Sequence, residues 1–152
     1  MTPAPEFAGA LADAAPGRAL DLACGSGRHA RWLIERGWEV TAIDIAPGEI
    51  PGAHFIQADL ERHEYRIEPD MWDLIVCWLY WQPDLLPEIA RGVREGGIVA
   101  LAGKTTGRFA TSLARYRESF AEWAEIVSGE IASGEDQSRA FFIAMRLEEP
   151  ID

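Results

Sequence analysis

The chain has 152 residues, 48% hydrophobic and 26% charged, and a formal net charge of −11. A chain of this length forms one domain able to bury roughly 70% of its unfolded surface. Its acidic balance argues against a nucleic-acid partner, whose phosphates are held by Lys and Arg, and no run approaches the ~18 apolar residues of a membrane span.

Residues 1–16 are rich in Ala and Pro, and Glu6 to Ala14 can make one short helix with Phe7 and Leu11 on the same face before Pro16-Gly17 breaks it. It reads as an N-terminal cap over a sheet face or the mouth of a site, with 17–152 as a single domain. Arg18 to Ala23 is a strand carrying one acid, Asp21. The turn Cys24-Gly25-Ser26-Gly27 follows, then a helix from Arg28 to Arg36 with Ala30, Leu33 and Ile34 at i, i+3, i+4 spacing, stopped by Gly37. Trp38 to Asp44 is a β-branched strand ending in an acid, so a parallel β-α-β unit is implied.

The connection from Ile45 to Ala53 holds two Pro and two Gly and is too short for a full crossover helix. His54 to Ala58 is the third strand, Glu61 to Asp70 a charged loop, and Trp72 to Trp78 an almost uninterrupted apolar strand, as a central parallel strand buried on both faces would be. It should lie beside strand one. Pro83 suits a helix first turn, and Leu86, Ile89, Ala90 and Val93 carry the helical period until Gly96-Gly97. Strand five is Ile98 to Ala102, and a helix from Arg108 to Ser119 places Phe109, Leu113, Tyr116 and Phe120 on one side. Glu122 to Ala132 and Arg139 to Glu148 form a terminal antiparallel hairpin through the polar loop 133–138. The alternation predicts a doubly wound α/β sheet of seven strands, with ligands at the carboxyl ends where strand order reverses.

Taken alone, Gly25-x-Gly27-x-x-Ala30 also fits a dinucleotide fingerprint, but Asp21 inside the strand suits an ammonium better than a pyrophosphate. A nicotinamide oxidoreductase would also need a substrate domain for which this length leaves no room. Leu20-Asp21-Leu22-Ala23-Cys24-Gly25-Ser26-Gly27, Val40 to Asp44 and Phe55 to Leu60 together resemble class I S-adenosylmethionine-dependent methyltransferases, in particular small bacterial ones with an Asp-x-x-Cys-Gly-x-Gly-Arg signature. Trp72 to Ile75 and Gly96 to Val99 match the later strand starts. The resemblance implies a Rossmann-like sheet, mostly parallel, in the order 3-2-1-4-5-7-6, and S-adenosylmethionine as cofactor. It further implies that the backbone at Gly25, Ser26 and Gly27 approaches the methionine part, and that Asp21 lies near its ammonium. Asp44 would accept from both ribose hydroxyls and Ile45 would lie against adenine. Asp59 and the Leu60 N–H would read the adenine edge, and the backbone at Cys77 and Trp78 would border the methionine end.

Methyl transfer from a sulfonium requires alignment and exclusion of water more than a dedicated catalytic group, and no catalytic residue is assigned. After strand four the chain lacks the Asn-Pro-Pro-Tyr type of motif and reads Cys77-Trp78-Leu79-Tyr80-Trp81-Gln82-Pro83, so Tyr80 and Trp81 are candidates to wall an acceptor pocket. From Gly96 to Arg117 there is no acid, yet Lys104, Arg108, Arg115 and Arg117 occur; Lys104 and Arg108 follow strand five on the cofactor side and could clamp an anionic acceptor. His29 and His63 receive no catalytic role. Two cysteines and three histidines without ligand spacing give no disulfide framework and no expected metal. The expectation is a cytoplasmic methyltransferase for a small-molecule acceptor, with neither nucleic-acid nor membrane partner and with a homodimer through the aromatic segment or hairpin compatible. The rival is a non-catalytic cofactor-binding module completed by a partner chain.

Overall fold

The computed structural model describes residues 2–132 and 138–149. A seven-stranded sheet runs in the order β3-β2-β1-β4-β5-β7-β6, from β1 (Arg18–Leu22), β2 (Glu39–Asp44), β3 (His54–Gln57), β4 (Trp72–Trp78), β5 (Val93–Lys104), β6 (Ala124–Ile131) and β7 (Arg139–Met145). The first five are parallel to one another; β7 pairs antiparallel with both β5 and β6. The predicted hairpin turn at 133–137 lies outside the described residues. None of the described helices is long and apolar enough to cross a membrane.

Alternation along the central strands builds two cores. Leu74, Val76 and Trp78 of β4, with Ala100 and Ala102 of β5, face one side, where α1 (Pro5–Leu11) brings Phe7 and Leu11 and α2 (Arg28–Glu35) brings Ala30 and Leu33. Ile75, Cys77, Val99 and Leu101 face the other, against Ile89 of α3 (Leu86–Gly92) and the Tyr116 and Phe120 side chains in and just after α4 (Leu113–Ser119). Small alanines on the first face leave space for the large rings of Phe7 and Trp78. That is how a sheet buried on both sides keeps close packing. Glu6 of α1 and Arg139 of β7 add an ion pair at 2.7 Å with both side chains mostly buried.

Three sequence expectations need correction. The helical spacing continues through Val93, but α3 stops at Gly92 and Val93 opens β5, paired with Trp72. A Cβ on Gly92 would stand 2.5 Å from Ile67 Cγ2, so the close approach of this helix end needs glycine. The fourth helix begins at Leu113 rather than Arg108, and Phe109 is 62% exposed instead of joining the buried face. Gly107, at φ 93°, and the Thr111 N–H donating to Lys104 O at 2.8 Å hold that stretch as a loop. The terminal strands are also shorter than expected. As anticipated, 45–53 has no helix; Ile50 is buried there beneath the glycine turn.

Gly103 lies near the end of β5, before this loop, and a Cβ there would meet Thr111 Cγ2 at 2.4 Å and the Tyr116 hydroxyl at 2.7 Å. Gly103→Ala is expected to destabilise the fold by about 1–3 kcal/mol through overpacking, read as a lower urea midpoint; an unchanged midpoint would show that α4 yields freely.

Candidate functional site

Strand order reverses between β1 and β4, and the carboxyl ends of these strands form the crevice in which open α/β sheets bind ligands. Each of these strands is followed at once by a non-glycine residue with positive φ, Ala23 at 54° and Leu79 at 61°, a conformation that persists where surrounding bonds enforce it. Those bonds are present: the Cys24 N–H donates to Ile43 O at 3.0 Å and the Leu79 N–H to Ala102 O at 2.7 Å. Each strand end is thereby tied to its outer neighbour.

The two glycines of the turn have different causes. At Gly27 (φ 85°) a Cβ would lie 2.5 Å from Ile50 Cδ1, whereas at Gly25 (φ 57°) nothing lies within 4 Å. Gly27 permits packing from below; Gly25 leaves open space above the turn. The Gly25 N–H donates to Asp44 Oδ2 at 2.9 Å, and Asp44 Oδ1 accepts from the Ala46 N–H at 3.0 Å. A carboxylate offers about four lone-pair sites, so Asp44 can brace the turn and still accept from two further donors.

Asp44 lines a cavity of about 260 Å³ with Ala23, Ile45, Ala58, Asp59 and Leu60. Ile45 is 63% exposed there, an apolar side chain left bare at a strand end. Asp59 Oδ1 accepts from the Glu61 N–H at 3.0 Å, so an Asx-type turn orients its carboxylate. A second cavity of about 520 Å³ adjoins it, lined by Leu79, Trp81, Lys104, Arg108 and Phe109, and Tyr80 and Glu61 line both. Tyr80 is braced: its hydroxyl donates to Gln82 Oε1 at 2.6 Å, and Gln82 Nε2 donates to Leu60 O at 3.1 Å. Burial, with Glu61 the largest of several nearby negative charges, pushes the Tyr80 phenol up to about 12.

Of the remaining residues singled out from sequence, Ser26 is exposed on the turn, its carbonyl accepting from Arg31 Nε at 3.2 Å. Cys77 and Trp78 put their side chains into opposite cores, so only their backbone faces the site's end of β4. The Cys77 thiol is pushed up to about 12 by burial, and the Trp78 ring packs 5.9 Å from Phe7 and 5.3 Å from His29. His29 is structural: its Nε2 accepts from the Ala4 N–H at 3.2 Å, and burial pushes it down to about 3. His63 is exposed beside Asp84. Among the four cations near β5 and α4, Arg117 is bound to Glu125 at 2.7 Å and Arg115 lies 5.1 Å from the Trp81 ring centre. Lys104 and Arg108 have no carboxylate partner among the described residues. Glu61, Leu79 and Phe109 are lining residues that the sequence reading did not assign; only Gly107 signalled the break that frees Phe109.

Asp21 sits deeper than a strand-end acid. It is 2% exposed, lines neither cavity, and its Oδ2 has no hydrogen-bond partner among the described residues. Burial pushes its carboxyl up to about 7, with Asp44 adding to the shift and the Ala30 N–H and Arg28 opposing it. An uncompensated buried carboxylate is costly and asks for a cation or a proton.

Residues 19–97 match the model of a methyltransferase domain. A malonyl-[acyl-carrier protein] O-methyltransferase of Salmonella typhimurium is 38% identical over 91 residues, 53% of this chain and 36% of that protein. A trans-aconitate 2-methyltransferase of Methylobacterium nodulans is 32% identical over 110 residues, 65% of this chain and 43% of that protein. The chain thus matches less than half the length of these relatives. Among solved structures, an S-adenosylmethionine-dependent methyltransferase of Mesorhizobium loti superimposes with a TM-score of 0.74 at 16% identity, covering 93% of this chain and 96% of that one.

The state of Asp21 has a measurable consequence. An unfolded aspartate ionises near 3.8 and the folded one near 7, so unfolding releases a proton between these values and Asp21 subtracts stability as pH rises from 4 to 7, then levels off. Asp21→Asn is therefore expected to gain on the parent across that window and to exceed it by roughly 2–4 kcal/mol at pH 8 in urea denaturation. A difference independent of pH would contradict the assignment.

Proposed function

Because the chain belongs to the methyltransferase-domain family, whose cofactor is S-adenosylmethionine, we propose that it transfers a methyl group from this cofactor to a carboxylate of a small organic acid. The observation that carries the reading is the pair of adjoining cavities, one lined by Asp44, Ile45 and Asp59, the other by Lys104 and Arg108, with Tyr80 and Glu61 lining both.

The residues present fit the cofactor. Asp44 retains lone pairs for two ribose hydroxyls after bracing Gly25 and Ala46. Exposed Ile45 offers an apolar surface for an adenine ring, and Asp59 and Leu60 lie in the same cavity to meet its polar edge. The open space over Gly25 admits the methionine part close to backbone, and the orphaned Asp21 Oδ2 is a place for an ammonium to offset a buried charge. When bound, the cofactor supplies an electrophilic methyl group on a sulfonium.

The chain's own task is then to bring an acceptor into line and keep water out. Lys104 and Arg108, without a carboxylate partner among the described residues, offer positive charge to an anion in a chain that is otherwise strongly acidic. A carboxylate is ionised at neutral pH and has no proton to lose, so the transfer needs no base from Tyr80, whose phenol stays protonated. The two named relatives point the same way, since a malonyl group and trans-aconitate each carry a carboxylate. The chain carries an acceptor-sized cavity of its own beside the cofactor cavity, which favours an enzyme over a binding module that borrows its pocket.

The test is incubation with labelled S-adenosylmethionine and a panel of small carboxylic acids. Base-labile methyl ester is expected from at least one acid. The double variant Lys104→Ala with Arg108→Ala should raise KM for that acid by roughly 10–100-fold, a loss of about 1.5–3 kcal/mol of charged hydrogen bonding. S-adenosylhomocysteine affinity should stay unchanged. Transfer unaffected by removal of both cations would overturn the clamp, and label on no carboxylate would overturn the acceptor class.

A further inference from the structure

The acceptor cavity is more selective than its two cations alone would make it. Beside Lys104 and Arg108 its lining includes Leu79, Tyr80, Trp81 and Phe109, three aromatic side chains and one branched aliphatic one. Phe109 is 62% exposed on the loop between β5 and α4, an exposure that costs hydration unless the ring gains a partner. The Arg108 guanidinium lies 5.3 Å from its ring centre, so cation and ring are presented together.

The base of that loop is fixed while its tip is open. Thr111 is buried and its N–H donates to Lys104 O at 2.8 Å, and the Thr105 N–H donates to Ser138 O at 3.1 Å. Between them Thr106, Gly107, Arg108 and Phe109 are exposed and line the cavity. Opposite them, Trp81 is locked edge-on against Tyr116 at 5.6 Å and covered by Arg115 at 5.1 Å, while Tyr80 is held through Gln82. Rigid aromatic walls lose little side-chain entropy when a flat partner settles against them.

Charge narrows the choice further. The carboxylate in the lining, Glu61, makes no ion pair among the described residues and lies on the wall shared with the cofactor cavity. An acceptor with several carboxylates would bring one of them toward this like charge, which is unfavourable at short range in a partly desolvated cavity.

We propose that the acceptor class is a monocarboxylate on a flat apolar body, such as an aryl or aryl-alkenyl acid, with Phe109 as the residue that selects it. This rests on the anionic-acceptor reading of the same cavity and deepens it. The carboxylate meets Lys104 and Arg108, the flat body lies among Phe109, Trp81 and Tyr80, and polycarboxylates are disfavoured by Glu61. Phe109 acts as a specificity residue, and because it is exposed its replacement leaves the core untouched.

Calorimetric titration of the S-adenosylhomocysteine complex with cinnamate and with trans-aconitate tests this whether or not either acid is turned over. Cinnamate is expected to bind about tenfold or more tighter, the worth of one aromatic contact. Phe109→Ala should abolish that preference by weakening cinnamate alone, and Phe109→Trp should keep it. Equal or tighter binding of trans-aconitate, no binding of either acid, or a Phe109→Ala variant that weakens both acids equally would overturn the assignment. Cinnamate that binds with the stated preference, while no carboxylate in the panel receives label, would count against methyl transfer to carboxylates and leave the binding class standing.

Discussion

The hydrogen bond from the Gly25 N–H to Asp44 is the contact on which the site depends. It ties the turn after β1 to the end of β2, and the bond from Leu79 N–H to Ala102 O does the same for β4 and β5. Between these braces the strand order reverses, and both flanking strand ends adopt positive φ at residues with side chains. The backbone strain is over-determined by neighbours, as expected where a binding geometry is built in advance of its ligand.

Electrostatics divides the same edge of the sheet. On the β1–β3 side, Asp21, Asp44 and Asp59 stand at or near successive strand ends; on the β5 side, Lys104 and Arg108 face the adjoining cavity. The donor half suits hydroxyls, an amine and a cation; the acceptor half suits an anion. The buried Asp21 carboxyl is the clearest sign that the arrangement favours binding over stability, since its orphaned oxygen opposes folding at neutral pH and a bound ammonium would relieve it. His29 titrates the other way: burial depresses it and keeps it a neutral acceptor for the Ala4 N–H, so as pH falls from about 6.5 toward 3 the unfolded chain gains a proton that the folded one excludes, and stability is lost. Over the window the two groups share, about pH 4–6.5, their opposing slopes offset one another.

Much of the fold was legible because its carriers are local. Uninterrupted apolar runs such as Leu74 to Trp78 marked central strands, and Asp21, Asp44 and Asp59 fell in sequence at strand ends beside glycine punctuation. The two helix misreadings share one cause, that helical spacing does not reveal which residues tertiary contacts remove from a helix. Val93 has the right spacing but belongs to β5, and Phe109 has the right spacing but is held on a loop by Gly107 and the Thr111 bond. Phe109 and Glu61 were therefore absent from the candidate site, because their membership depends on where two loops meet. The depth of Asp21 was equally hidden, as strand position alone does not tell an acid at the rim from one under the turn.

We propose that the edge braced by Gly25 and Asp44 holds the nucleoside of the cofactor, which calorimetric titration of the parent and of Asp44→Ala with S-adenosylhomocysteine tests. Saturable one-to-one binding is expected for the parent and a loss of roughly 1.5–3 kcal/mol per charged hydrogen bond in the variant, with the variant's far-ultraviolet circular dichroism retained. Equal affinity in a folded Asp44→Ala variant, or no binding by the parent, would contradict it.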